Sequence, residues 1–155
     1  MIVALIIGII LLIIIIILLI SGILISKKLN KFFCKSNDLR GFITYDLIKD
    51  KYERNEYDFK SGKNNLKAYL YKGSKEKDLI IYVHGMCSGH QGYLSDITAL
   101  IDRGYNVFTY DFTATGQSDG IYYLGLNQQL YDLDSCMKYL KSNDYYGYQN
   151  IYLYG

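Results

Sequence analysis

Hydrophobic and polar positions divide this chain into three regimes. Residues 2–25 are Ile, Leu, Val, Ala and Gly throughout, apart from Ser21. A helix of about twenty such residues, rising 1.5 Å each, crosses a hydrocarbon core of about 30 Å. Residues 2–25 are therefore predicted to form a transmembrane helix. Residues 26–51 are mixed and basic without a clear period, and read as a membrane-proximal linker. From residue 52 the pattern is that of a folded domain. Tyr57 and Phe59 alternate with polar residues, 61–65 is turn-rich, and 66–71 alternates again, which predicts a β-hairpin. The run 79–83 is apolar without alternation, the mark of a strand covered on both faces, and 106–110 and 151–154 supply two more strands. Leu94, Ile97, Leu100 and Ile101 recur at helical spacing, with Gly104 placed to end that helix in a left-handed cap. A second helix has the stripe Leu130, Leu133, Met137 and Leu140, with Asn127 as its cap. Strands alternating with helices define an α/β class, with parallel strands joined by right-handed crossovers.

Charge refines the membrane reading. Lys27, Lys28, Lys31, Lys35 and Arg40 all follow the apolar run, and no Lys or Arg precedes it. A secretory signal wants a basic start and a shorter apolar stretch, so the run reads as an uncleaved anchor with the lipid bilayer as its partner. The positive-inside rule then puts the C-terminal side in the cytoplasm. Net charge is +2 with no basic stripe, which argues against a nucleic-acid partner. The three cysteines, Cys34, Cys87 and Cys136, form no Cys-x-x-Cys pair, so a zinc site is not expected. Cys34 stands where palmitoylation would add a second anchor, although an unmodified thiol is the simpler reading.

Two segments carry candidate chemistry. The first is His84-Gly85-Met86-Cys87-Ser88-Gly89-His90, directly after a buried strand. Gly85 lets the backbone turn sharply there because it has no Cβ. His84, Cys87 and His90 match no defensible zinc spacing. Gly85, Gly89 and Gly92 are not spaced as a dinucleotide fingerprint. The second segment is Asp111-Phe112-Thr113-Ala114-Thr115-Gly116-Gln117-Ser118-Asp119-Gly120, which contains a literal Gly-x-Ser-x-Gly. A nucleophile elbow needs its serine on a tight turn directly between strand and helix. Ser118 comes several residues too late for that and reads as a loop residue.

Taken together, the two motifs and the element order resemble the front half of an α/β-hydrolase, similar to the serine-aminopeptidase and monoacylglycerol-lipase-like branch. The second segment resembles that branch's Asp-x-Arg-Gly-His-Gly-x-Ser loop. Asp111, Gly116 and Ser118 match, while Thr113, Ala114 and Thr115 replace Arg, Gly and His. The resemblance implies an incomplete α/β-hydrolase fold over residues 52–155: an N-terminal hairpin, three parallel strands and two helices, behind one transmembrane helix. It makes the amide of Met86 an oxyanion donor, with His84 and Gly85 shaping the turn, and makes Gly155 the first glycine of the elbow. The catalytic serine would then fall two residues beyond Gly155, with the acid and the catalytic histidine later still. The implied activity is cleavage of small carboxylic esters or amides, lipid-like ones among them, with no cofactor and no metal. The polypeptide itself would be inactive. The alternative is a non-catalytic, single-pass membrane protein that uses the α/β domain as an interaction module.

Overall fold

A computed structural model describes residues 2–34, 43–86, 88–123 and 125–155. Helix α1 (Ile2–Cys34) is continuous and exposes its apolar side chains. Residues 5–29 are long and apolar enough to cross a membrane. The helix runs nine residues past the predicted boundary at residue 25, because Ser26 to Cys34 contain no Gly or Pro to stop it. The linker read over 26–51 differs from the structure at its other end too. Helix α2 (Tyr45–Ile48) packs Tyr45 and Ile48 against the core, so the folded unit starts before Tyr52. Lys35, Arg40, Cys87 and the Cys34 side chain lie outside the described residues.

The hairpin pairs β1 (Arg54–Ser61) with β2 (Asn64–Tyr71) through the two residues 62–63, a tighter turn than the sequence pattern suggested. Gly62, at φ +58°, makes the reversal. The remaining strands are β3 (Asp78–Tyr82), β4 (Asn106–Tyr110) and β5 (Asn150–Tyr154). They complete one sheet in the order β1-β2-β4-β3-β5. β2 meets β4 antiparallel, while β3 runs parallel to both β4 and β5.

Each face of the sheet is covered by one helix. Helix α3 (Leu94–Asp102) buries Leu94, Ile97 and Ile101 against Tyr69, Tyr71, Tyr82 and Val107. Gly104, at φ +91°, ends it and donates its N–H to the Ile101 carbonyl. Helix α4 (Leu126–Ser142) covers the opposite face, where Cys136 and Leu140 pack with Phe59, Leu66, Ile81 and Phe108. Its buried ridge is Asp132, Cys136 and Leu140, an i, i+4 row. Leu130, assigned to the core stripe from sequence, is exposed, and Gly125 rather than Asn127 occupies the cap position. The row departs from the apolar stripe because Asp132 finds enough donors to be buried. After α4, Asp144, Tyr145 and Tyr146 adopt left-handed φ values of 50°, 46° and 53°. Each such residue costs about 1–2 kcal/mol. Packing of Tyr146 on Tyr57, at 5.0 Å between ring centroids, and its hydroxyl contact with Tyr139 at 2.6 Å offset that strain.

Candidate active site at the rim of the parallel strands

Because β3, β4 and β5 are parallel, the loops that follow them emerge on one rim of the sheet. The β3 and β5 exits touch there. Val83 donates its N–H to the Tyr154 carbonyl at 2.8 Å, one rung beyond the regular ladder. A Cβ on Gly155 would lie 2.6 Å from the Val83 carbonyl oxygen, so only glycine fits at that approach. A Cβ on Gly85 would collide with the Tyr93 hydroxyl. Met86 follows the turn with its side chain 72% exposed.

His84 is buried and ties the β3 exit to the β4 exit. Phe112 donates its N–H to His84 Nε2 at 3.2 Å, which makes Nε2 an acceptor. Nδ1 therefore carries the proton and donates to the Gly85 carbonyl at 2.6 Å. Burial lowers the His84 pKa and keeps the ring neutral.

Asp111, just past β4, organises the loop between β3 and α3. Its Oδ1 accepts the His90 backbone N–H at 2.7 Å and His90 Nδ1–H at 2.9 Å, and its Oδ2 accepts the Gln117 N–H at 3.0 Å. Burial alone pushes the carboxyl pKa up. The electrostatic interaction and hydrogen bond with His90, with help from His84 and the Gln117 amide, outweigh it and hold the pKa at about 2. Gly89 and Gly116, at φ +61° and +45°, lie directly against this carboxylate. His90 stacks on Tyr69 at 3.8 Å, and Arg54 reaches its Nε2 with Nη1 at 3.3 Å. The guanidinium also lies 3.6 Å over the Tyr45 ring and pairs with Glu56 at 2.7 Å. Thus a cation arrives from β1 although Thr113 stands where the similar loop has arginine.

Thr113 instead joins a second buried carboxylate. Its N–H and hydroxyl donate to Asp132 at 2.7 and 3.0 Å, alongside Ser61 Oγ at 2.6 Å and Gln128 Nε2 at 2.8 Å. Thr115 donates its hydroxyl to the Phe112 carbonyl at 2.9 Å. Ser118 is buried, donates to the Asp111 carbonyl and accepts the Lys67 N–H at 2.9 Å. Both functions of its hydroxyl are spent on fixing the loop to β2, so this literal Gly-x-Ser-x-Gly is a structural turn. Among the described residues no serine hydroxyl is bonded to a histidine ring.

The structure thus brings His84, Gly85, Met86 and Gly155 to one rim, and turns His84 and His90 toward different partners. The His90–Asp111 pair and the Asp132 cluster were not foreseen from sequence. A polar residue closing an apolar strand, as Asp111 does, and an aspartate inside an amphipathic helix, as Asp132 is, were the available signals.

No family model matches the sequence, and no curated protein matches it. Solved structures do. The Pyrococcus furiosus esterase Pf2001 superimposes with a TM-score of 0.60 at 25% identity, over 68% of this chain and 43% of the esterase. Est1E of Butyrivibrio proteoclasticus, solved with ferulic acid bound, gives 0.54 at 23% identity, over 63% of this chain and 41% of that one. An alpha-beta serine hydrolase homologue from Coxiella burnetii gives 0.51 at 16% identity, over 64% of this chain and 50% of that one. The chain spans half or less of the length of these structures. In sheet order, crossover connections and structural likeness, this chain is an α/β-hydrolase by fold.

Proposed function

We propose that residues 1–155 are the N-terminal portion of a membrane-anchored serine hydrolase that cleaves carboxylic esters or amides, of the serine-aminopeptidase and monoacylglycerol-lipase-like kind. The observation that carries this reading is the approach of Gly155 to Val83, the residue just ahead of the His84-Gly85-Met86 turn, at the ends of adjacent parallel strands. Acyl transfer on this fold takes one oxyanion donor from the turn after the first parallel strand and another from the residue after the nucleophile. Met86 supplies the first through its backbone N–H. The second donor, the serine, the acid and the base come from sequence following Gly155. The serine attacks the carbonyl, the histidine takes and then returns the proton, and the tetrahedral oxyanion rests on the two amides. The chemistry needs no cofactor. Anchoring through residues 2–25 places the domain beside substrates dissolved in the same bilayer, which favours lipid-like esters, and the flanking lysines favour a cytoplasmic location.

Two measurements test this. The coding sequence after Gly155 is expected to read x-Ser-x-Gly, and the extended polypeptide to be labelled by a fluorophosphonate at that serine. Polypeptide 1–155 is expected to hydrolyse nitrophenyl butyrate no faster than buffer. A serine-free continuation, or hydrolysis by 1–155 that Ser118→Ala abolishes, overturns the proposal.

A further inference from the structure

An exposed apolar face lies beside the loop after β4 and has no role in the site described above. Ile121, Leu126 and Leu130 are 59%, 67% and 56% exposed. Leu126 and Leu130 are one turn apart on the same side of α4, and Ile121 precedes them in the loop. Tyr122, next to Ile121, shares a shallow cleft with Leu18, Leu19, Gly22 and Ile23 of α1. That stretch lies in the C-terminal half of the predicted span, so Tyr122 stands on the side of the domain that faces the bilayer. Lys63 lines the neighbouring cleft with Ile121 and Tyr122, and Lys27, Lys28 and Lys31 follow the span. Eight residues, 35–42, separate α1 from the next described residue, and such a tether reaches at most about 28 Å. The domain is therefore held close to the bilayer that α1 enters.

We propose that this face is a membrane-docking surface, with Ile121, Leu126 and Leu130 inserted at the boundary between headgroups and acyl chains. Tyr122 lies at headgroup level and the lysines meet lipid phosphates. Apolar side chains backed by a cationic rim are the chemistry by which peripheral segments settle in that layer. The inference rests on reading α1 as a transmembrane anchor. Docking fixes the orientation of the domain on the bilayer.

The sequence contains no tryptophan, so a single introduced indole can be excited selectively. The full chain carrying Leu126→Trp, Leu153→Trp or Ile13→Trp is reconstituted in phosphatidylcholine–phosphatidylserine vesicles with brominated acyl chains. Bromine placed near the headgroup is expected to quench Leu126→Trp roughly twofold and to leave Leu153→Trp, on β5, unchanged. Bromine placed deep in the chain is expected to quench Ile13→Trp. Quenching of Ile13→Trp without Leu126→Trp overturns the docking surface and leaves the anchor intact. Equal quenching at Leu126 and Leu153 overturns it as unspecific adhesion. No quenching at Ile13 overturns the anchor, and the docking surface with it.

Discussion

Asp111 joins the turn ahead of α3, its own loop and, through His90, the guanidinium of Arg54. Its pKa in the fold lies below its unfolded value near 4. The stabilisation it provides, about 2 kcal/mol for a pKa near 2, is complete above roughly pH 4 and fades as the pH falls through 2. His84 acts in the same direction at higher pH. Burial lowers its pKa, so below about pH 6.5 the unfolded chain takes up a proton that the folded chain refuses. Chemical unfolding across a pH series is expected to show a first decline below about pH 6.5 and a second between about pH 4 and 2. In Asp111→Asn the second decline should vanish, at a lower overall stability. Ser118→Ala is a separate check. Loss of the hydroxyl leaves the Lys67 N–H without its acceptor and is expected to cost about 1–3 kcal/mol of stability with no change in ester hydrolysis. The positions of His84, Gly85 and Met86 were legible because a glycine turn after an apolar run is a local signal. The Arg54–His90–Asp111 chain was not, since its members are 36 and 21 residues apart and meet only once the sheet has formed.

Among the elements, strands β3 and β4 and the first crossover helix match the sequence pattern closely, because apolar side chains alone decide which face they bury. Helix α4 shows where that reasoning loses force. Its extent was legible, but its rotation about its own axis was set by Asp132, a polar residue with four donors around it. A hydrophobicity pattern scores such a residue as solvent-facing, because a buried carboxylate is tolerable only when fully hydrogen-bonded. Asp132→Ala removes the shared acceptor of Ser61, Thr113 and Gln128. It is expected to destabilise the domain by about 3 kcal/mol or more in urea unfolding, with Asp132→Asn costing less. The left-handed conformations of Tyr145 and Tyr146 between α4 and β5 were equally invisible from sequence, since tyrosine has no preference for that region.

For the whole molecule, the sheet places β5 at its edge with Tyr152, Leu153 and Tyr154 about half exposed or more. An open apolar strand edge recruits other strands. Residues 43–155 without the anchor are expected to self-associate at micromolar concentration, and Leu153→Lys to reduce that association in sedimentation measurements. Monodisperse behaviour of the unmodified domain would contradict this. At this scale the α/β class and the three parallel strands were readable, because alternating helix and strand periods leave few topologies. The rim where the β3 and β5 exits touch has one more consequence. A slip of β5 by a single residue would shift Gly155 by about 3.3 Å and swap every side chain of the strand to the other face. In a slipped molecule the close approach of Gly155 to the Val83 carbonyl would be lost, so a preparation would hold two distinct populations, paired and mispaired, with no graded series between them.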